Sequence, residues 1–345
     1  MLVPGALDSG AFAAIIRSTE RTVMPDSTPS ADNTAGTPHL PPKGGNKKTG
    51  WVIAGIAVAV AAAVVLAVAV TSAGRSADAS SGTTVTIGVA DAAQPYWKTY
   101  TALVKEKLDV SIKLVNFADY SQPNPALSQG QIDLNQFQHI EFLADYNVSN
   151  HDTLQPVGAT AVYPLTLYSL KYASPEDIPE GAQVAIPNDA INQARGLLVL
   201  QAAHLLTLKD GGTAFSNTAD IETQRVTVLA VDAAQTAVAL QNGSADASIV
   251  NNNFAVDAKL PVSKAIYHDD PASAAAAPYV NIFAARAKDA ANPLYQKLVD
   301  LYHDATVEKQ VQLANSGTAV FRTTGADELQ ADLKKVEADA KAAKK

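Results

Sequence analysis

From Thr84 onward, short apolar runs with a β-type pattern trade places with stretches of helical spacing. Thr84–Val89 is a β-rich run, and Pro95 to Leu108 reads as a helix with a proline suited to its first turn. Val110–Phe117 alternates as a strand should, Asn124 to Gln129 makes a short helix, and Ile132–Leu134 gives a third strand. Ala161–Leu170 is an apolar, aromatic strand whose internal proline marks an edge or a bend. The alternation then resumes. Gln183–Ile186, Arg225–Leu229, Ala245–Val250 and Tyr279–Ala285 are strands. Asn192 to Leu206, Asp232 to Gln241, Pro293 to His303 and Thr306 to Asn315 are helices. Strands interleaved with helices predict an α/β fold with mostly parallel sheets.

The N-terminal quarter follows another logic. Residues 1–50 are rich in Pro, Gly, Ser, Thr and Asn with no sustained apolar period, so disorder is expected there, and Met24 is an alternative start. Trp51 to Val70 carries no charge over twenty residues, enough for a helix to cross the ~30 Å hydrocarbon core. Lys43, Lys47 and Lys48 precede the run and only Arg75 follows closely, which predicts a membrane anchor over 51–71 with a cytoplasmic N-terminus. A cleaved signal peptide is the alternative, with Thr71-Ser72-Ala73 as small residues at the cut. Residues 72–83 read as a linker that holds a globular body off the membrane, and residues 331–345 as a solvated helical tail.

Charge and chemistry narrow the function. Past residue 82 there are 20 basic and 29 acidic residues, a balance that repels phosphate backbones and argues against nucleic acid. The chain has no Cys, hence no disulfide, no thiol nucleophile and no lipobox thiol. Its six His form no HxxxH or HExxH pair, and no nucleophile elbow or phosphate-binding glycine loop is present. No metal, no cofactor and no enzymatic activity are expected.

Polar groups instead collect after strand ends, where open α/β sheets bind ligands. These are Asp91, Gln94 and Tyr96, then Asp119 and Tyr120, then Phe137, His139 and Phe142. Farther on come Asn188, Asn192 and Arg195, then Asn251, with Asn281 inside the last strand. The stretch Ile132–Leu143 packs two phenylalanines, a histidine and three amides together, as the rim of a site for a small amphiphile does. Arg195, expected in the first turn of its helix, suits a docked carboxylate; pairing with Asp189 is the alternative.

Several motifs, in this order and spacing, resemble the NlpA (MetQ-like) family of methionine-binding proteins of bacterial ABC importers. They are Phe117-Ala118-Asp119-Tyr120 with Pro123-Asn124, Ala126 to Asp133, Phe137-Gln138-His139, Val162-Tyr163-Pro164, Val184 to Asp189, Asn192 to Arg195, Val250-Asn251 and Pro278 to Asn281. The resemblance covers about Thr84 to the 320s and none of residues 1–82. It implies a type II periplasmic-binding fold whose two α/β lobes close on a ligand, with residues 84–170 plus 271–330 in one lobe and 171–270 in the other. It also implies that Arg195 clamps a ligand carboxylate with Asn192 close by, and that Asn251 and Asn281 bond the amino and carboxylate groups. Tyr120, Phe137, His139 and Phe142 would wall a thioether side chain. L-methionine or a close analogue, including a dipeptide, is the implied ligand, and an ABC permease the implied partner. A membrane-anchored sensor or scaffold is the rival class. The chain departs from the family at Phe142, where tyrosine is common, and in having an apolar span in place of a lipobox.

Overall fold

A computed structural model describes residues 82–344. The expected disorder over 1–50, the anchor over 51–71 and nearly all of the linker lie outside the described residues. Among the described residues no helix is long and apolar enough to cross a membrane.

Two five-stranded sheets form the body. The first runs in the order Ser111–Asn116, Thr84–Val89, Leu134–Gln136, Ile282–Ala285, Gln155–Ala159. Its first three strands are parallel, and Ile282–Ala285 is antiparallel to both its neighbours. The second runs in the order Thr227–Val231, Gln183–Pro187, Ala247–Val250, Thr166–Tyr168, Ala265–His268. It repeats the scheme: three parallel strands, then Thr166–Tyr168 antiparallel to its neighbours. In each sheet the antiparallel fourth strand is the one that arrives from the other lobe. The carboxyl ends of both parallel sets therefore lead toward the space between the sheets, where the loops carry polar residues.

Helices cover the sheets for ordinary reasons of pattern. The helix Pro95–Leu108 buries Tyr96, Trp97, Tyr100 and Val104 and carries Lys105 and Lys107 in its last turn, where the dipole favours them. Trp97, Tyr100, Phe283 and Tyr302 interlock as an aromatic core beneath the first sheet, with ring centroids 5.6–6.3 Å apart in mostly tilted or edge-on pairs. The second lobe has its own core, built from Leu165, Leu167, Val184, Ile186, Leu197, Leu200 and Ile249.

Three expectations change. The run Ala161–Leu170 is not one strand: Pro164, which lacks an N–H for a ladder, splits it into Ala161–Val162 and Thr166–Tyr168. The first piece pairs with Val320–Phe321 and the second joins the second sheet, so the chain changes lobe near Tyr163–Leu165 instead of after Leu170. The segment expected as a solvated tail over 331–345 is, over its residues 331–343, part of the helix Ala326–Ala343, whose Leu329, Leu333, Val336 and Ala340 recur at intervals of four, three and four and are buried. Arg195 lies in the second turn of its helix, which begins at Ala190, and not in the first turn where the terminal dipole is strongest.

Candidate ligand-binding site

A cavity of about 90 Å³ opens between the two sheets. One water needs only ~10–15 Å³ on the same measure, so the space suits a ligand of several non-hydrogen atoms. All eight residues singled out from the sequence, Tyr120, Phe137, His139, Phe142, Asn192, Arg195, Asn251 and Asn281, line it.

The polar wall is built from one helix start. Asp189 caps the helix Ala190–Ala202 by accepting from the Asn192 backbone N–H at 2.9 Å. The same carboxylate also accepts from Asn192 Nδ2 at 3.0 and 3.1 Å, which turns Asn192 Oδ1 toward Asn251. Asn251 Nδ2 donates to that oxygen at 2.9 Å. The relay fixes the Asn251 amide and leaves its Oδ1 buried with no partner among the described residues. A buried acceptor without a donor costs about 1–3 kcal/mol, and a ligand N–H removes that cost.

Arg195 is buried, at 5% exposure. Its Nε donates to Asp269 at 2.7 Å and its Nη2 to the Tyr163 carbonyl at 2.9 Å, while the guanidinium carbon stands 4.3 Å from the Tyr279 ring centroid. The pairing with Asp189 considered from the sequence does not occur: Asp189 is occupied as a cap, and Asp269 holds the arginine. No bond from Nη1 to a described residue exists, so the guanidinium still offers donors to an anion in the cavity.

The apolar wall comes from the first lobe. Tyr120, Phe137 and Phe142 meet in a three-ring cluster with centroids 5.8–6.2 Å apart. Phe254 of the second lobe packs against Tyr120 with ring centroids 5.0 Å apart and backs the cluster without lining the cavity; no strand-end pattern marks it. His139 caps the helix Ile140–Asn150: its Nδ1 accepts from the Phe142 N–H at 3.2 Å, which leaves the ring proton on Nε2. Burial, and then the charge of Arg195, push its pKa down to about 3, with Asn192 opposing. The ring is neutral at physiological pH and serves as a wall with one donor, not as a base.

Asn281 is held by its backbone, which donates to Ala161 at 2.9 Å, accepts from Thr160 at 2.7 Å and bridges to His139. Its side chain lines the cavity. The amides of the Ile132–Leu143 stretch divide by role. Asn135 and Gln138 join Asn124 in a closed buried network at 2.6–3.0 Å, which fixes the loop below the aromatic wall. Gln136 bonds Thr160 at 3.2 Å. Their polarity is mostly structural. Asp91, Asn252, Asn253 and Asn315 also reach the cavity; of these only Asp91 is among the strand-end residues picked out from the sequence, and Asn252 and Asn253 directly follow Asn251.

Comparison with known proteins places this geometry. The family model of the NlpA lipoproteins matches residues 85–321. The chain belongs to the NlpA lipoprotein family. A relative, the D-methionine-binding lipoprotein MetQ of Salmonella typhi, is 34% identical over 68% of this chain and 87% of its own. Among solved structures, the substrate-binding protein of a methionine transporter from Streptococcus pneumoniae aligns with a TM-score of 0.64 at 32% identity, over 69% of this chain and 95% of that one. A nutrient-binding protein from Burkholderia cenocepacia bound to methionine gives 0.64 at 33% identity, over 69% and 99%. The fold is therefore that of the periplasmic-binding proteins in this family, and the two exchanged fourth strands are its crossovers.

Proposed function

We propose that this protein captures methionine outside the cell, closes its two lobes on it and delivers it to an ABC permease. The observation that carries the reading is the pairing, in one cavity, of an unpartnered acceptor at Asn251 and open donors at Arg195 with a three-ring wall. An amino acid supplies the matching ammonium and carboxylate, and a thioether suits aromatic edges. In this reading Arg195 and Asn192 organise the carboxylate end, and Asn251 and Asn281 take the amino and carboxylate groups. Tyr120, Phe137, His139 and Phe142 enclose the side chain. The protein performs no covalent step; lobe closure is its mechanism.

The relatives are named as lipoproteins, whereas this sequence holds no cysteine to carry a lipid. The apolar run at 51–71 then takes over anchoring, with residues 1–50 in the cytoplasm and the binding body outside.

Calorimetric titration of the full chain, stripped of retained ligand by partial unfolding and refolding, tests this. L-methionine, D-methionine, leucine and Gly-Met are the titrants. Tight binding by either methionine with weak binding of leucine is the expected result; preference for leucine removes methionine as the substrate, and the L/D ratio sets the chirality.

A further inference from the structure

The cavity's fixed charges are unequally matched. Arg195 is already paired with Asp269. Asp91, at the carboxyl end of the first strand, also lines the cavity and has no ion pair with any described residue. Its carboxylate accepts from two neutral donors, the Tyr96 hydroxyl at 2.5 Å on Oδ2 and Trp97 Nε1 at 2.8 Å on Oδ1. Tyr96 and Trp97 are buried in the first turn of their helix, so the two bonds fix the carboxylate's plane and position. Two donors leave about half of a carboxylate's acceptor directions unused.

Other negative groups gather at the same end. Burial raises the pKa of the Tyr120 hydroxyl, and the negative fields of Asp189, Asp91 and Asp257 raise it further against the bond to Asn253. Burial likewise pushes the Asp91 carboxyl up, with Asp257 adding to the effect against the bonds from Tyr96 and Trp97. The unpartnered Asn251 Oδ1 lines the same space. No cation among the described residues lies within ion-pair distance of Asp91, and the only charged groups lining the cavity are Asp91 and Arg195. A carboxylate taken out of water without a partner is costly unless the ligand brings the missing charge.

We propose that Asp91 is the counter-ion of the ligand's ammonium group, with Asn251 Oδ1 as its second acceptor. The inference rests on the reading that the cavity binds an amino acid, and it narrows that class to ligands with a free, protonated amine. Hydroxy acids and N-acylated amino acids keep the carboxylate and side chain but offer no cation, so Asp91 selects against them.

The test titrates the full chain, as wild type, Asp91→Asn and Tyr96→Phe, with methionine and with its hydroxy analogue 2-hydroxy-4-(methylthio)butanoate. Asn is isosteric with Asp and keeps an acceptor for Trp97, so near-UV circular dichroism is expected to match the wild type. Loss of a charge-assisted bond weakens methionine by about 10- to 100-fold in Asp91→Asn, while the hydroxy acid changes by less than about threefold. Tyr96→Phe removes one bond to Asp91 but keeps its charge, so methionine retains its advantage over the hydroxy acid. Equal losses for both ligands in Asp91→Asn, no loss for methionine, or an advantage erased by Tyr96→Phe each overturn the assignment. A wild type that binds another amino acid in place of methionine sinks the substrate reading alone, and the same comparison then runs on that amino acid and its hydroxy acid. A wild type that binds only ligands lacking an ammonium overturns this inference directly.

Discussion

The Tyr120 hydroxyl of the first lobe donates to the Asn253 side-chain oxygen of the second, across the mouth of the cavity. The bond orients the Asn253 amide, whose Nδ2 is buried without a partner among the described residues. Gln94 Nε2 reaches Asp257 at 3.2 Å and Asn252 bonds Asn315 beside it, so the short helix Asn252–Asp257 is tied to the first lobe at three points. Such contacts exist only when the lobes meet, and under the proposed closing mechanism they stabilise the closed state. Tyr120→Phe keeps the ring wall and deletes the tie. Its expected effect is a dissociation rate faster by about 3- to 10-fold, the ~0.5–1.5 kcal/mol of one hydrogen bond, with the association rate nearly unchanged. Stopped-flow ligand release measures this, and an unchanged rate would remove the tie from the closing mechanism.

Arg195 combines an ion pair, a carbonyl contact and a ring contact that a lysine cannot reproduce together. Lysine has a point charge in place of a planar fork, so Arg195→Lys loses the simultaneous reach to Asp269 and Tyr163. Arg195→Ala also leaves Asp269, which is partly exposed, without its partner. Affinity is expected to fall by about 30-fold or more in Ala, from ~2–4 kcal/mol for a broken, partly buried charge pair, and by at least about tenfold in Lys. Calorimetry decides; a lysine variant that binds as tightly as wild type would show that charge alone suffices.

Glu141 supplies a pH signature. It is 3% exposed, in the first turn of the helix Ile140–Asn150, with Asp145 one turn along and Asp339 facing it from the C-terminal helix. Burial, then Asp339 and Asp145, push its pKa from the ordinary 4.5 up to about 7. A raised carboxylate pKa means that the folded state binds the proton more tightly than the unfolded state does. The penalty is therefore absent below pH 4.5, grows as pH rises, and is complete above about 7. Glu141→Gln should be more stable than wild type by about 1–3 kcal/mol at pH 8, with the difference vanishing near pH 4.5. His139 slopes the other way: its pKa of about 3 lies below the ordinary 6.5, so its contribution is lost as pH falls through that interval. Because His139 is present in both proteins, denaturant titrations of wild type and Glu141→Gln at several pH values cancel it. A difference that stays constant with pH would show that Glu141 is solvated.

The residues also show how far sequence reaches. The alternation of apolar runs foretold most of the strands, since burial on both faces demands such runs, and the strand ends pointed to seven of the eight candidate residues, with Asn281 marked by its polarity inside an apolar run. What sequence could not show was partnership. Asp269, the partner of Arg195, lies 74 residues away in a stretch that reads as a turn, and Phe254 reaches the aromatic wall only because the lobes meet. The amides of Asn135 and Gln138 looked like ligand groups because polarity beside aromatics signals a site; in the fold they satisfy one another. The change of lobe at Tyr163–Leu165 turns on one proline inside an otherwise continuous apolar run, a local break with long-range consequences.

The charge density of the C-terminal helix masks a narrow apolar stripe. Leu329, Leu333 and Val336 pack into the cluster that holds Ile140, Leu143 and Ala144, the inner face of the helix that His139 caps. Asn147 Nδ2 donates to Glu337 at 2.9 Å and Lys344 to Asp145 at 2.7 Å, so polar bonds flank the stripe. The helix Ala326–Ala343 therefore braces the element that carries His139 and Phe142, without touching the cavity. Leu333→Ala removes a side chain that is 1% exposed, and its expected cost is about 2–4 kcal/mol. For a body of this size that corresponds to a melting point lower by roughly 5–15 °C. Affinity at 25 °C should change less than about twofold, because the folded fraction still presents the same wall and the stability margin of such domains, ~5–15 kcal/mol, exceeds the loss. Calorimetric melting and ligand titration on the same sample separate the two effects. A tail free in solvent would leave the melting point where it was, and a helix that shapes the site directly would weaken binding in step with stability.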